Sequence, residues 1–346
     1  MKKTSIIASI VIFVVILAAC GDEKDAKLKV NDVDQKDELL EKAQGLFAIL
    51  PAKAENPENP LTAEKIALGK RLYFDTALSK DGNNSCNSCH NLSTYGVDNL
   101  KTSPGDKGEF GNRNSPTVLN AAFHTTQFWD GRAKDVEEQA TGPIVNPVEM
   151  AMPSPEFLVE RLNKNEEYKK AFTEVFPKDK ITFENVGKAI AAFERTLITP
   201  SPFDEYLAGE ASALTDKEKE GLKTFMDAGC ITCHNGAQLG GNMFQKFGVH
   251  KPYLEATGSE VVDEGRFEVT GNESDKYMFK VPGLRNIEKT WPYFHDGSVE
   301  SLEEAVGIMA DVQLNKQLTD EEVENITAFL KSLTGEVPEE ALVSSN

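Results

Sequence analysis

The sequence CNSCH at residues 86–90, repeated as CITCH at residues 230–234, decides the fold of this chain. Cys-x-x-Cys-His is the attachment signal for c-type haem, in which two thiols bond covalently to the haem and the adjacent imidazole binds the iron. A structural zinc site or disulfides are the alternatives, but neither needs a His after the second Cys of each pair. The sequence therefore predicts two covalent haems. The predicted attachment and ligand residues are Cys86, Cys89, His90, Cys230, Cys233 and His234.

The two motifs divide the chain into halves with the same order of segments. In each half a helix leads into the haem motif, and a long irregular stretch then leads to a closing amphipathic helix, spanning Phe183 to Thr199 or Val323 to Gly335. We predict an all-α fold of two cytochrome c-like domains related by internal duplication. The predicted N-terminal domain covers residues 39–202, the C-terminal domain residues 203–335, and the tail residues 336–346. The boundary falls where Pro-Ser-Pro interrupts helix and strand.

The first residues of the chain have the features of an export signal. Two Lys residues precede an apolar run that is too short for a stable spanning helix, and small residues follow, so residues 1–19 are predicted to be a signal peptide. The sequence LAACG resembles a bacterial lipobox, which makes Cys20 the predicted lipidation site. An ordinary cleaved signal with an incidental Cys is the alternative. Residues 20–38 are charged and predict a flexible tether. We expect an extracytoplasmic, lipid-anchored protein facing the periplasm or the cell surface.

The charge balance restricts the possible partners. The chain has 37 Lys and Arg against 56 Asp and Glu, giving a formal net charge of -19. Nucleic acid is therefore not an expected partner, because its phosphates carry the same sign of charge. An acidic surface can steer a basic electron carrier to a haem edge, although a merely solubilising surface explains the charge equally well.

The sixth ligand of each iron separates an electron carrier from an enzyme. Met309 precedes the closing helix of the second half, where a cytochrome c domain places a thioether ligand that suits electron relay; a Met that only fills the core is the alternative. The comparable stretch of the first half, GPIVNPVEMAM at residues 142–152, contains Glu149. Over an iron, Glu149 could take a proton from bound hydrogen peroxide and return it to the departing oxygen. If Met150 or Met152 binds the iron instead, the first domain only relays electrons.

Several longer motifs accompany the haem signals. They are CNSCHNLSTYGV (86–97), RNSPTVLN (113–120), QFWDGRA (127–133), GPIVNPVEM (142–150), FERTLITPSPF (193–203) and WPYFHDG (291–297). Through these motifs the sequence resembles the bacterial di-haem cytochrome c peroxidases over nearly all of residues 60–335. In that family the N-terminal haem is peroxidatic and the C-terminal His/Met haem receives electrons from a small redox protein. The resemblance implies reduction of hydrogen peroxide to water with electrons from a small cytochrome c or copper protein.

The resemblance also implies roles for individual residues. Glu149 is the implied acid/base of the peroxide pocket, Gln139 a polar neighbour that orients peroxide, and Phe128 part of the pocket lining. Trp129 is implied to lie between the haems on the electron path. Without the resemblance, a Trp that only packs in the core is the ordinary interpretation.

The family also holds a calcium ion between its domains through backbone oxygens and waters, and it suggests a homodimer. The matching calcium positions here are Asn114, Thr290 and Pro292. Carbonyl oxygens suit a hard cation but leave almost no sequence signature, so this expectation comes from the resemblance alone.

One loop departs from the family pattern. Many members carry a His between the first haem motif and the RN-x-PTVLN segment; it caps the peroxidatic iron in the oxidised protein and leaves when the other haem is reduced. Here the loop is KTSPGDKGEFGN at residues 101–112, with Asp106 and Lys107 near the expected place and no His. We predict that the first haem is five-coordinate or water-bound when oxidised and needs no reductive activation. Lys107 is expected to stay solvated.

The remaining His residues are expected to have other roles. His295 lies in the WPYFHDG motif and is expected to hydrogen-bond near the second haem or the domain interface. Surface or packing roles are expected for His124 and His250, although His124 is the one nearby imidazole that could replace the missing loop ligand.

Two other functions fit parts of the sequence. A non-catalytic di-haem electron carrier would have a strong sixth ligand on both irons. A second group of relatives oxidises tryptophan residues of a partner protein, and those characteristically have Tyr where Met309 stands here.

Overall fold

The computed structural model describes residues 38–178 and 180–342. The predicted signal peptide, Cys20 and residues 20–37 of the predicted tether lie outside the described residues. No helix in the described ranges has both the length and the apolar character that a membrane span requires.

The described chain is rich in short helices. In the N-terminal part these are α1 (Glu38–Leu46), α2 (Ala63–Phe74), α3 (Cys86–Cys89), α4 (Val136–Gln139), α5 (Gly142–Val145), α6 (Pro155–Asn163), α7 (Glu166–Val175) and α8 (Phe183–Glu194). The C-terminal part contains α9 (Pro202–Leu207), α10 (Asp216–Ala228), α11 (Tyr253–Thr257), α12 (Phe267–Thr270), α13 (Leu302–Leu314), α14 (Asp320–Lys331) and α15 (Glu339–Leu342). Short 3₁₀ turns occupy Thr76–Leu78, Leu92–Thr94, Ala121–Phe123, Ala211–Ala213, Cys230–Thr232, Glu273–Asp275 and Ile287–Lys289.

A small antiparallel sheet adds to this helical fold. It pairs β1 (Phe244–Lys246) with β2 (Met278–Lys280), and Phe244 lies opposite Lys280. The prediction of two helix-rich cytochrome c-like domains is confirmed, with this two-stranded sheet as an addition. Their origin by internal duplication stays a prediction.

The four helices that frame the haem motifs each begin after a threonine. The side chains of Thr62, Thr182, Thr215 and Thr319 accept a hydrogen bond from a backbone amide in the first turn of α2, α8, α10 and α14. These caps satisfy amides that have no partner within the helix. The helix starts are therefore encoded locally, by one residue type used four times.

Close glycine contacts hold two pairs of helices together. Where α2 crosses α8, a Cβ on Gly69 would overlap the carbonyl oxygen of Ala189, and where α10 crosses α14, a Cβ on Gly221 would overlap that of Asn325. Aromatic rings pack beside both crossings, with ring centroids 5.3 Å apart for Tyr73–Phe193 and for Phe225–Phe329. Each crossing thus anchors one hydrophobic core.

We call the two cores the first lobe, built around α2 and α8, and the second lobe, built around α10 and α14. The predicted closing helices are shorter than expected, because α8 ends at Glu194 and α14 at Lys331. Leu197 and Leu333 are nevertheless fully buried, just after the helix ends. The apolar pattern therefore marked the core correctly but extended beyond the helices.

Both ends of the described chain pack differently from the predicted domain division. Ala43 and Phe47, assigned by sequence to the N-terminal domain, belong to the core of the second lobe. Ala341, in the predicted tail, is buried in the core of the first lobe. Contacts of this kind join residues far apart in sequence, so a local sequence pattern does not predict them.

A buried ion pair fixes the chain where it passes between the lobes. Asp204 on α9 accepts two hydrogen bonds from Arg285, at 2.6 and 2.7 Å, and further bonds from the amides of Leu50 and Ser201. Burial acts to raise the pKa of Asp204, but Arg285 and the two amides outweigh it, so this pKa lies below its usual value. Next to the predicted boundary, Asp204 is thus tied to both Leu50 and Arg285.

Candidate haem sites and active site

The second Cys-x-x-Cys-His motif directly follows a helix end. Gly229, with φ +96°, ends α10, and Cys230–Thr232 forms a 3₁₀ turn. The Nδ1 atom of His234 lies 2.9 Å from the carbonyl oxygen of Leu239, and burial lowers the pKa of His234. A neutral imidazole that donates from Nδ1 presents its other nitrogen to a metal. The His234 ring is therefore suited to binding iron through its other nitrogen.

An apolar cavity lies beside His234. Cys230, Cys233 and Met309, the last on α13, share its lining with His234. Two thiols, an imidazole and a thioether around an apolar space fit a c-type haem with His and Met ligands. The ligand assignment itself stays a prediction.

The first motif forms its own short helix, α3. The side chains of Ser85 and Ser88 form a capping box at its start, and the hydroxyl of Tyr73 donates to the carbonyl oxygen of His90 at 2.5 Å. Burial lowers the pKa of His90, with Asp98 acting in the opposite direction. A neutral imidazole beside two thiols fits the second predicted haem.

The structure brings Glu149 close to the first motif. Burial raises the pKa of the Cys89 thiol to about 11, with the negative charges of Asp98 and Glu149 adding to the increase. Glu149 is itself half-buried, and burial raises its pKa against the opposing charge of Arg132. Such a carboxyl group exchanges its proton closer to neutral pH than an exposed one.

Phe128 and Arg132 lie together beside the segment that carries Glu149. The guanidinium carbon of Arg132 is 3.5 Å from the centre of the Phe128 ring, a cation–π contact. A Cβ added to Gly142 would lie 3.4 Å from the ring, so the glycine allows close packing. Gln139 is half-buried at the end of α4. Sequence reasoning missed Arg132, although it belongs to the QFWDGRA motif.

Trp129 reaches the cavity of the second lobe. Its Nε1 donates to the carbonyl oxygen of Asn114 at 2.9 Å, and its ring centroid lies 6.5 Å from that of His295. Trp129 and Phe128 both line the cavity that contains His234. Two residues that precede the predicted domain boundary thus line the cavity of the second lobe. Their functional roles stay predictions.

The three predicted calcium positions meet at the same cavity. Asn114, Thr290 and Pro292 all contribute to its lining. Nowhere in residues 38–178 and 180–342 do three or more His, Cys, Asp or Glu side chains cluster to hold a metal. A cation at the predicted positions would therefore depend on backbone and amide oxygens, and calcium binding stays a prediction.

Loop 101–112 is anchored by Asp106. Its buried carboxylate accepts hydrogen bonds from the amides of Asp81 at 2.7 Å and Asn83 at 3.0 Å, while its own amide donates to the carbonyl oxygen of Glu149 at 2.7 Å. Burial acts to raise the pKa of Asp106, but the two amides help to outweigh it, and the pKa lies below its usual value. Lys107 is exposed, as expected. The carboxylate of Asp106 thus serves the loop structure.

The other His residues occupy three different surroundings. His295 is buried among aromatic rings, its Nε2 atom 3.9 Å from Asp263, and burial lowers its pKa. His250 is exposed. His124 lines the second-lobe cavity and lies 3.0 Å from the Nζ atom of Lys280. His124 is therefore engaged with Lys280 in the second lobe.

A buried carboxyl group beside the first motif was also missed. Glu194, at the end of α8, is 5% exposed, and burial raises its pKa to about 8. Its charge adds to the increase that burial causes in the pKa of the Cys86 thiol. The only sequence signal was its place in the FERTLITPSPF motif.

The chain matches family models along most of its described length. Residues 63–212 match the model for di-haem cytochrome c peroxidase and residues 218–334 that for cytochrome c. Cytochrome c551 peroxidase from Nitrosomonas europaea is 50% identical over 84% of this chain and 85% of its own length. The Pseudomonas aeruginosa protein of the same name is 48% identical over 88% of each chain. A solved MauG-like protein associated with microbial copper homeostasis is 28% identical, with a TM-score of 0.73 and coverage of 86% of this chain and 97% of its own.

Proposed function

The chain belongs to the di-haem cytochrome c peroxidase family, and on that premise we propose that it reduces hydrogen peroxide to water with two electrons from a small redox protein. The observation that carries the proposal is the asymmetry between the lobes. The second lobe places Met309 in the cavity of His234, whereas the first places a carboxyl group with a raised pKa beside its haem motif. One lobe suits electron relay and the other suits proton transfer.

Cys86, Cys89 and His90 would hold the first-lobe haem, which would supply the redox centre for peroxide reduction. Glu149 would take a proton from one oxygen of peroxide and return it to the departing oxygen, which would leave as water. The overall reaction consumes one peroxide, two electrons and two protons and yields two waters. Phe128 excludes water from the pocket, and Gln139 orients the substrate.

Cys230, Cys233, His234 and Met309 would hold the second-lobe haem, which would accept electrons from the donor. Trp129 lies on the proposed electron path between the lobes. Its ring centroid is 6.5 Å from that of His295. The net charge of -19 favours a basic donor, such as a small cytochrome c or copper protein. Met309 also separates this chain from relatives that oxidise tryptophan residues of a partner.

We further propose a calcium ion at Asn114, Thr290 and Pro292, a homodimeric assembly, and a periplasmic or surface location reached through the signal peptide and lipidation at Cys20. The shared cavity lining of the three calcium positions supports the first of these. The others rest on the sequence and the family resemblance.

The first test is addition of one equivalent of hydrogen peroxide to the fully oxidised, calcium-loaded holoprotein, followed by electronic absorption and electron paramagnetic resonance. We expect a high-spin first haem that reacts at once, because loop 101–112 provides no His to block it. Onset of activity only after slow reduction would contradict the open-site prediction while leaving the peroxidase assignment intact. Two low-spin haems that ignore peroxide even after partial reduction would instead identify an electron carrier.

A further inference from the structure

Lys280 is a buried cation at the wall of the second-lobe cavity. Lys280 is the last residue of β2 and is 6% exposed. Its backbone amide donates to the carbonyl oxygen of Trp129 at 2.8 Å. Burial lowers the pKa of Lys280 to about 8, with Asp130 acting in the opposite direction. A buried ammonium group is unfavourable unless an acceptor or an opposite charge lies nearby.

The hydrogen-bond partner of the ammonium group is His124. The Nζ atom of Lys280 lies 3.0 Å from Nδ1 of His124. Because the ammonium group only donates, Nδ1 must accept, and the neutral ring carries its proton on Nε2. The two residues therefore present donors and no negative charge.

The position of His124 is fixed by two glycines. A Cβ on Gly241 would overlap the imidazole ring, and one on Gly283 would lie 3.0 Å from Nε2. Gly241 also has φ +74°, a conformation that favours glycine. The backbone at Gly241 and Gly283 thus allows the imidazole of His124 to pack closely against it, beside Lys280.

No carboxylate in the described chain neutralises Lys280. Asp130 is the acidic group that acts on it, but the Asp130 carboxylate already binds Arg113 at 2.5 Å and Arg132 at 2.8 Å. Lys280 therefore has a neutral His as its partner, in a cavity shared with His234 and Met309. A buried ammonium group with a neutral partner suits an anionic ligand.

We infer that Lys280 and His124 form a binding site for a carboxylate, and that its occupant is a propionate group of the second haem. A propionate brings its charge into the cavity with the cofactor, so the buried ammonium group gains its counterion when the haem is attached. The inference shares with the proposed function only the presence of this haem. It concerns the charge around the iron and is independent of peroxide turnover.

The test is the midpoint potential of the second haem in holoprotein carrying Lys280→Met. Loss of the positive charge leaves the propionate charge uncompensated, which favours the ferric state. We expect the equilibrium constant for reduction to fall about tenfold, equivalent to about 59 mV for a one-electron couple. The control is Lys246→Met, which removes the same charge from an exposed position on β1, and it should change the constant less than twofold. Lys280→Arg should preserve the potential.

Resonance Raman spectra of the propionate bending modes provide a second readout. We expect Lys280→Met to shift a mode of the second haem that Lys246→Met leaves unchanged. Equal potentials in both Met variants and the wild type, or equal shifts in both variants, would overturn the inference. Chloride and acetate titrations distinguish a haem propionate from a free anion as the occupant of the site. A wild-type potential that depends on anion concentration, with no such dependence in Lys280→Met, would assign the site to a free anion and refute the propionate.

Discussion

Replacing Glu149 with Gln is expected to reduce kcat for peroxide reduction by about 10²- to 10⁴-fold, the usual contribution of a general acid–base group. At 1.36 kcal/mol per tenfold this is about 3–5 kcal/mol of transition-state stabilisation. The structure favours a selective effect, because the hydrogen bond from Asp106 ends on the backbone carbonyl of Glu149 and survives the substitution. Gln keeps the size of the side chain but cannot accept and return a proton.

Asp98→Asn provides a matched control. Asp98 and Glu149 both raise the pKa of Cys89, so both carboxylates place negative charge near the first haem motif. Asp98, however, accepts a hydrogen bond from the amide of Leu100 at 3.0 Å and has no role in the proposed proton transfer. If only the charge near the haem matters, the two variants should lose similar activity.

The assay is steady-state peroxide reduction by holoprotein with a reduced small cytochrome c, with haem content and the oxidised spectrum checked for each variant. We expect Glu149→Gln to lose at least a hundredfold in kcat and Asp98→Asn less than tenfold. Retention of kcat within threefold in a correctly loaded Glu149→Gln protein would refute the role of Glu149.

Two further predictions concern stability. Gly69→Ala should lower the free energy of unfolding of the first lobe by several kcal/mol in denaturant titrations, because its Cβ meets the backbone of Ala189, whereas Gly45→Ala, with no neighbour near its Cβ, should be neutral or stabilising. Asp204→Asn should cost about 3–5 kcal/mol near neutral pH, since it leaves Arg285 buried without its partner, and the exposed Glu324→Gln is the control. Because the folded-state pKa of Asp204 is lowered, its contribution is present above the unfolded pKa and is lost as pH falls toward the folded pKa. The difference between Asp204→Asn and wild type should therefore shrink in acid, and a difference that stays constant would contradict the assigned ion pair.

The predictable part of this structure is encoded locally. The haem motifs fix six residues by spacing, and the threonine caps with their apolar stripes fix the framing helices. The predicted asymmetry of the two haems comes from comparing Met309 with Glu149, because each half supplies a reference for the other. These features need only a few neighbouring residues to be recognised.

The rest depends on contacts between distant segments. The packing of α1 in the second lobe and of α15 in the first is specified by buried surface at the two ends of the chain. The pairing of Lys280 with His124 crosses 156 residues, and neither residue belongs to a repeated pattern. Arg132 and Glu194 lay within recognisable motifs, but only their surroundings reveal how they alter nearby charges.

Loop 101–112 links the sequence departure with the site chemistry. A loop that delivers a His to the iron and withdraws it must move, whereas this loop carries no His and is fastened on two sides. The carboxylate of Asp106 holds the amides that precede the first haem motif, and its amide holds the carbonyl of Glu149. Movement of the loop would therefore also disturb Glu149, the proposed proton-transfer group. This anchoring of the loop is consistent with the prediction that the first haem needs no reductive activation.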